Sequence, residues 1–311
     1  MHIAIIGAGM AGCACGLRLL DAGHDVSVFD KGRGPGGRMS TRRMEAGDDS
    51  VQFDHGAQYF TVRDPGFAAV VASWRQQGIA APWPAAGEDA WVGTPAMNAP
   101  IRQMAALLDV NFNTRIERLS RSGDHWFLHG NGVPTNGFYA VVIAIPAEQV
   151  AALLAGHAAG FAATAQAVAS DPCWTVMLAF EQPLAVQHDT VENSSSPIAW
   201  AARNSAKPDR GETECWVVQA SPEWSRKHLE EDAETVLARL RDAFADAVGS
   251  GLPATIAQGA HRWRYARPAS SGDQYLWDPD KKLGLCGDWL VAPRVEAAWM
   301  SGRALAHTIC A

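Results

Sequence analysis

The chain has 311 residues, of which 48% are hydrophobic, and its 33 acidic residues outnumber its 26 lysines and arginines to give a formal net charge of −7. This length predicts two domains, or one domain with a large insertion. The acidic balance gives no overall attraction for nucleic acid or an anionic membrane, so any basic site must be local. The six cysteines lack metal-ligand spacing and no apolar run reaches membrane-spanning length, so we expect a reduced, cytoplasmic protein without a metal.

The first thirty residues predict a β-α-β unit, with strands at 2–6 and 25–30 around a helix at 11–22. Further helices are predicted at 65–78, 97–108, from 149, at 232–248 and at 296–309, and further strands at 111–119, 125–129, 141–145, 175–180, 198–202, 215–220, 256–265 and 283–287. Residues 79–92 are rich in Pro, Ala and Trp and predict irregular structure, and residues 193–197 predict a polar turn.

The first motif, Gly7-Ala8-Gly9-Met10-Ala11-Gly12, follows a strand and opens a helix. Gly7 suits a tight turn, Gly9 lets the backbone approach a pyrophosphate, and Gly12 lets helix and strand pack closely. The helix N-terminus offers N–H groups to the phosphates. Asp30, followed by Lys31, ends the second strand and is placed to accept hydrogen bonds from ribose hydroxyls. This pattern predicts dinucleotide binding but does not distinguish NAD from FAD.

The second motif is Gly36-Gly37-Arg38-Met39, shortly after the second strand. Arg38 would place a cation beside the pyrophosphate, and Gly37 would let the chain curl against it. The alternative is a solvated basic loop.

The third motif is Asp54-His55-Gly56-Ala57-Gln58-Tyr59-Phe60. Gly56 and Ala57 suit close passage of the backbone along a flat ring, and Gln58 and Tyr59 would meet that ring or the substrate. An ordinary strand with a glycine bulge is the alternative. His55 taken alone is more typical of a structural hydrogen-bonding residue than of a base.

The fourth motif joins Gly287-Asp288 to a helix that begins at Arg294-Val295-Glu296-Ala297. Gly287 would bring the backbone near the middle of the cofactor, and Asp288 would accept a hydrogen bond from a ribityl hydroxyl. The helix N-terminus would face the edge of a flavin that becomes anionic on reduction. This motif therefore favours FAD over a nicotinamide cofactor.

In this order the four motifs resemble the flavin-containing amine oxidase superfamily, and residues 54–60 together with His261-Arg262-Trp263-Arg264-Tyr265-Ala266 resemble the renalases. The resemblance implies FAD, hydride abstraction by the flavin from an isomeric dihydro-NAD(P), and reoxidation by O2 to H2O2. The cysteine that would carry a flavin thioether, Cys286, lies on a predicted strand, so we expect non-covalent FAD. Trp263 and Tyr265 would share one strand face and Arg262 and Arg264 the other, with either face toward the cleft as a substrate site.

We therefore predict an α/β protein in which a Rossmann-like FAD-binding domain carries an inserted mixed-sheet α+β substrate domain. The FAD-binding domain is expected at residues 1–66, 93–165 and 266–311, and the substrate domain at 67–92 and 166–265. The predicted partners are a small-molecule substrate and O2, with no nucleic acid or membrane and with the flavin itself as the catalytic group. The alternatives are an amine oxidase or desaturase on the same scaffold, or a non-catalytic flavin-binding redox protein.

Overall fold

The computed structural model describes residues 1–47, 49–154, 156–192, 197–249 and 251–311, so most of the polar turn predicted at 193–197 lies outside the described residues. The helices of the described residues are α1 (Met10–Asp21), α2 (Pro65–Gln76), α3 (Ala99–Ala106), α4 (Ala147–Leu153), α5 (Ala159–Gln166), α6 (Pro222–Lys227), α7 (Ala233–Val248), α8 (Asp288–Val291) and α9 (Val295–Cys310). None of these helices has the length and apolar character to cross a membrane.

The strands follow the chain in the order below, and short 3₁₀ turns lie between some of them. They are β1 (His2–Ile6), β2 (Asp25–Phe29), β3 (Arg42–Ala46), β4 (Asp49–Phe53), β5 (Phe60–Thr61), β6 (Ala80–Pro82), β7 (Ala90–Gly93), β8 (Asp109–Asn111), β9 (Arg118–Ser122), β10 (His125–His129), β11 (Ala140–Ile143), β12 (Ser170–Phe180), β13 (Thr190–Glu192), β14 (Ile198–Arg203), β15 (Cys215–Ala220), β16 (Thr255–Pro268), β17 (Leu276–Asp278) and β18 (Leu283–Leu285).

The larger sheet has the order β17-β18-β11-β1-β2-β8, and its strands run parallel except for β17. Its central strands are almost wholly apolar because both faces are covered by other elements. Ile3 and Ile5 of β1 pack in one core with α1 and α9, whereas Ala4 and Ile6 pack in a second core with α4. Chain segments that are far apart in sequence therefore build one Rossmann-like unit.

The second sheet has the order β13-β14-β15-β12-β16, and all of its pairs are antiparallel. One face packs against the apolar side of α7, where Leu240 and Phe244 are fully buried. The opposite face packs against the β3–β4 hairpin through Val51 and Phe53. The predicted fold class, a Rossmann-like domain with an inserted substrate domain, is confirmed, and the exact domain boundaries stay a prediction.

Two local predictions were wrong. The strand predicted at 111–119 is broken, because Asn113 adopts a left-handed conformation with φ of 55° and starts a turn between β8 and β9. Asparagine tolerates this conformation better than most residues. The segment predicted to be irregular at 79–92 contains β6 and β7, and Trp83 and Val92 are buried in the core that also holds β1 and α1.

Candidate functional site

A cleft of about 1930 Å³ opens at the carboxyl ends of β1 and β2 and extends along β16 of the second sheet. Ligands of open α/β sheets bind in the crevice outside the carboxyl ends of the strands. The cleft is larger than the roughly 300–1,000 Å³ typical of a small-molecule pocket. It has room for a dinucleotide and for a second molecule beside it.

The N-terminus of α1 lies in this cleft. Gly9 is the N-cap residue and no side chain caps the helix, so the N–H groups of its first turn remain available. A Cβ on Gly9 would meet nothing within 4 Å, which means that this glycine faces open space. An uncapped helix end with open space in front of it fits a pyrophosphate.

Asp30 lies at the end of β2, close to this helix end. Its Oδ2 accepts a hydrogen bond from the Ala8 N–H at 2.7 Å, and its Oδ1 accepts one from the Gly32 N–H at 2.6 Å. A carboxylate has about four acceptor positions, so acceptor capacity remains for a ribose. The two backbone bonds hold the carboxylate in place.

Gly7 and Gly12 have a steric rather than a binding reason to be glycine. A Cβ on Gly12 would lie 1.9 Å from the Gly7 carbonyl oxygen, and a Cβ on Gly7 would lie 2.5 Å from the Ala144 carbonyl oxygen. Gly7 also has a φ of 108°, which other residues rarely adopt. The two glycines let α1 approach β1 and β11 closely enough to place Gly9.

Arg38 and Asp288, which the sequence predicts to contact different parts of the cofactor, bind each other. Arg38 Nη1 donates to Asp288 Oδ2 at 2.8 Å, and Nη2 donates to Oδ1 at 2.6 Å. The Arg38 side chain is 33% exposed and the Asp288 side chain 8% exposed. This bidentate pair joins the loop after β2 to the start of α8, and both residues still line the cleft.

Gly56 lies against the same loop. A Cβ there would lie 2.0 Å from the Arg38 carbonyl oxygen, and Ala57 N–H donates to that oxygen at 2.8 Å. The Gly56 carbonyl accepts from Gln219 Nε2 at 2.7 Å and from Gln58 Nε2 at 3.0 Å. The turn at 54–58 is therefore held from both sides, with Gly56 and Ala57 on the wall of the cleft.

The N-terminus of α9 also reaches the cleft, with Arg294 as its N-cap residue and no side-chain cap. Glu296 points elsewhere: its Oε1 accepts from the N–H groups of Arg63 and Asp64, both at 2.6 Å, and its side chain is 2% exposed. Glu296 thus fastens α9 to the start of α2.

The structure brings most of the predicted cofactor residues together on the cleft wall. These are Gly7, Gly9, Met10, Ala11, Asp30, Lys31, Gly37, Arg38, Met39, Gly56, Ala57, Gly287, Asp288, Arg294 and Val295. Five predicted residues do not line the cleft, namely Gly12, Gln58, Tyr59, Glu296 and Ala297. Gly12, Gln58, Glu296 and Ala297 are buried behind the wall, so any effect on a ligand would act through their neighbours. Tyr59 is half-buried and packs against Trp200, with ring centroids 5.7 Å apart.

The predicted substrate residues on β16 divide between two environments. Trp263 Nε1 donates to the His55 carbonyl oxygen at 2.8 Å. Arg262 and Arg264 both pair with Glu230, at 3.1 and 2.6 Å. All of these side chains except Glu230 line the cleft, as does Tyr265. The arginines are thereby tied to the segment before α7, whereas Trp263 is tied to the 54–58 turn.

Two histidines lie beside Trp263. The rings of His55 and His261 are 4.9 Å apart, and that of His261 is 4.5 Å from Trp263. Burial, together with the charges of His261 and Arg42, lowers the pKa of His55 to about 4, and burial and Arg42 lower the pKa of His261. His55 Nδ1 is buried and has no hydrogen-bond partner among the described residues. Both rings are therefore neutral at pH 7.

Sequence reasoning missed a buried ion cluster behind this wall. Asp54 Oδ2 contacts Lys207 Nζ at 3.3 Å and Arg210 Nη2 at 2.8 Å, and all three side chains are 0% exposed. The available signal was the run Lys207-Pro208-Asp209-Arg210, which places two cations close together in the connection between β14 and β15.

The charge of the cleft differs from that of the whole chain. The lining carries eleven cationic residues, Lys31, Arg33, Arg38, Arg42, Arg43, Arg102, Arg115, Arg262, Arg264, Arg267 and Arg294, against four acidic ones, Asp30, Glu117, Glu148 and Asp288. The whole chain has 26 cationic and 33 acidic residues. Among the described residues, Arg42, Arg43 and Arg267 are exposed and enter no ion pair. The cleft thus concentrates positive charge in an acidic protein.

Comparison with known proteins gives two sequence matches to families. The NAD(P)-binding Rossmann-like domain matches residues 5–75, and the flavin-containing amine oxidoreductases match residues 85–310. Curated relatives match only a short stretch. A 4,4'-diapophytoene desaturase of Staphylococcus haemolyticus is 41% identical over 64 residues, which are 21% of this chain and 12% of that protein. The Staphylococcus aureus desaturase matches at 41% over 56 residues, 10% of its length.

Solved structures match over nearly the whole chain. A putrescine oxidase bound to putrescine has a TM-score of 0.74 at 13% identity, with 99% of each chain covered. Cyclohexylamine oxidase from Brevibacterium oxydans has a TM-score of 0.73 at 12% identity, covering 99% of this chain and 98% of that one. An oxidoreductase from Methanosarcina mazei has a TM-score of 0.70 at 13% identity, covering 98% and 99%. At these identities the likeness shows the fold alone.

Proposed function

This chain belongs to the family of flavin-containing amine oxidoreductases. We propose that it is an FAD-dependent oxidoreductase that oxidises the reduced nicotinamide ring of an anionic dinucleotide rather than an amine. The substrate would be an isomeric dihydro-NAD(P), as in the renalases that the sequence resembles. The observation that carries the proposal is the cationic lining of the cleft. When Arg38 with its partner Asp288, and Arg262 and Arg264 with their partner Glu230, are set aside, eight cationic residues remain in the lining against three acidic ones.

The two substrate classes differ in the sign of their charge. A dinucleotide carries a pyrophosphate, which a cationic cleft attracts, whereas a mono- or polyamine is cationic at neutral pH and is repelled by it. The FAD pyrophosphate is expected at the N-terminus of α1, where Gly9 faces open space. Arg42, Arg43 and Arg267 remain for a second anionic molecule.

The chemistry that the chain must supply is modest. Bound FAD supplies the hydride acceptor and, on reoxidation by O2, yields H2O2. A dihydropyridine ring becomes aromatic when it gives up a hydride, so the protein need not first remove a proton, as it must from a protonated amine. The neutral rings of His55 and His261, which pack edge to face, and the fixed indole of Trp263 offer an uncharged, aromatic wall for such a ring.

The proposal is tested by aerobic turnover of the FAD-loaded protein. Isomeric dihydro-NAD and dihydro-NADP, ordinary NADH, putrescine and cyclohexylamine are supplied separately, and O2 consumption and H2O2 are measured. We expect one H2O2 per dihydronicotinamide isomer oxidised and a kcat/KM that falls as salt is added, because salt screens the cationic cleft. Turnover of an amine without turnover of the isomers would reject the proposal and favour an amine oxidase. The cytoplasmic setting stays a prediction.

A further inference from the structure

The buried cluster of Asp54, Lys207 and Arg210 contains one negative and two positive groups. Asp54 Oδ2 accepts from Arg210 Nε at 3.0 Å and from Arg210 Nη2 at 2.8 Å, and it also contacts Lys207 Nζ at 3.3 Å. Asp54 Oδ1 is occupied by Thr41 Oγ1 at 2.8 Å and by Met97 N–H at 3.0 Å. One carboxylate therefore faces two cations in a region without solvent.

Holding Asp54 in place would require only one of these two cations. Arg210 alone would neutralise Asp54, and it also donates to the Gly93 carbonyl oxygen at 2.7 Å and to the Pro208 carbonyl oxygen at 2.8 Å. Lys207 adds a second buried positive charge, which costs free energy unless an opposite charge lies nearby. The partners of its ammonium group besides Asp54 are uncharged, namely Gln58 Oε1 at 3.1 Å and the face of Trp83 at 5.2 Å.

The contacts of Lys207 lead to the wall of the cleft. Lys207 donates to Gln58 Oε1, and Gln58 Nε2 donates in turn to the Gly56 carbonyl oxygen and to the Asp54 carbonyl oxygen. Gly56 lines the cleft. A hydrogen bond from a cation polarises the amide that accepts it and strengthens the bonds which that amide donates. Only one side chain and one turn thus separate the surplus charge from the cleft.

We propose that Lys207 is an electrostatic positioning residue, whose uncompensated charge fixes the 54–58 turn through Gln58 and favours the reduced, negatively charged form of the bound cofactor over the oxidised form. The inference rests on the FAD cofactor and not on the identity of the substrate. Burial, offset in part by Asp54, lowers the pKa of Lys207 to about 8, so the ammonium is largely charged at pH 7.

The test is the midpoint potential of bound FAD in Lys207→Met. The substitution keeps the length and apolar stem of the side chain and leaves Asp54 paired with Arg210. We expect the equilibrium constant for reduction to fall about tenfold, which corresponds to about 30 mV for a two-electron couple. Lys207→Arg keeps the charge and should restore most of the difference. Lys227→Met removes an exposed lysine of α6, away from the cleft, and should leave the potential unchanged.

A purely structural role predicts a different result. In that case Lys207→Met lowers the thermal midpoint and weakens FAD binding while the potential of the bound FAD stays within error of the wild type, and this outcome overturns the proposal. If Lys207→Met fails to bind FAD, Gln58→Glu is measured instead. It places a negative charge at the atom that Lys207 already contacts, so the potential should again fall; an unchanged potential there also overturns the proposal.

Discussion

Gly9→Val distinguishes a binding role of the first glycine motif from a structural one. Gly9 has φ of −81° and ψ of −174°, which any residue adopts, and a Cβ there meets no protein atom within 4 Å. The fold should therefore tolerate valine. Its side chain would fill the space in front of the first turn of α1 and keep a pyrophosphate from the N–H groups there. Losing two charge-assisted hydrogen bonds of about 1.5–3 kcal/mol each costs about 3–6 kcal/mol.

At 1.4 kcal/mol per factor of ten, the FAD dissociation constant should rise on the order of 10²–10⁴-fold. The measurement is a titration of apoprotein with FAD, with the thermal midpoint of the apoprotein as the check on folding. Gly160→Val, in α5 and also facing open space, is the matched control and should bind FAD normally. If folded Gly9→Val protein binds FAD as tightly as the wild type, the pyrophosphate does not lie at this helix end.

Three further outcomes follow from the site. Because the pKa of His55 is lowered from 6.5 to about 4, its contribution to stability is complete above pH 6.5 and is lost as the pH falls toward 4. The loss is about 3 kcal/mol at 1.36 kcal/mol per pKa unit. Urea unfolding at pH 7 and pH 4.5 should therefore show a fall in stability that is smaller by about this amount in His55→Gln than in the wild type, since the lowered pKa of His261 acts in both proteins. Cys286 is fully buried and does not line the cleft, so FAD should be released when the wild-type protein is denatured and filtered. The folded Cys286→Ser variant should still bind FAD. Yellow colour that stays on the denatured wild-type chain would contradict this. Replacing Arg42 and Arg43 together by Gln should raise KM for the dihydronicotinamide dinucleotide about three- to tenfold with little change in kcat, because exposed charges are worth up to about 1 kcal/mol each. An unchanged KM, measured at low salt, would show that these two arginines do not contact the substrate.

The sequence was sufficient to predict the elements that depend on local pattern. The first β-α-β unit, the long helix at 233–248 and the closing helix are predicted because their apolar residues follow strand or helix periodicity over many positions. The roles of the glycines at the start of α1 and just before it were also predictable, since Gly7, Gly9 and Gly12 follow a spacing with a known steric reason. The break at Asn113 was missed because one left-handed residue interrupts a strand-like pattern.

The pairings across the fold were not predictable in the same way. Arg38 and Asp288 are 250 positions apart, and Lys207 and Asp54 are 153 positions apart. Arg38 and Asp288 each have a plausible local role in their own motifs, whereas Lys207 belongs to no motif, and only the tertiary fold shows which protein groups they bind. The same holds for Glu296, whose carboxylate is held by the backbone before α2 rather than facing the cleft. Spacing within a motif therefore predicts where the backbone of this site lies better than it predicts which groups the charged side chains bind.

Anaerobic mixing of the FAD-loaded protein with single substrates tests the central claim most directly, because it measures the reductive step without O2. The absorbance of the flavin near its visible maximum is followed after mixing with isomeric dihydro-NAD(P), with ordinary NADH and with a set of mono- and polyamines. A cationic cleft that selects an anionic dihydronicotinamide predicts rapid, stoichiometric bleaching by the isomers and none by the amines. Rapid bleaching by an amine, with no reaction of the dihydronicotinamide isomers, would contradict the account.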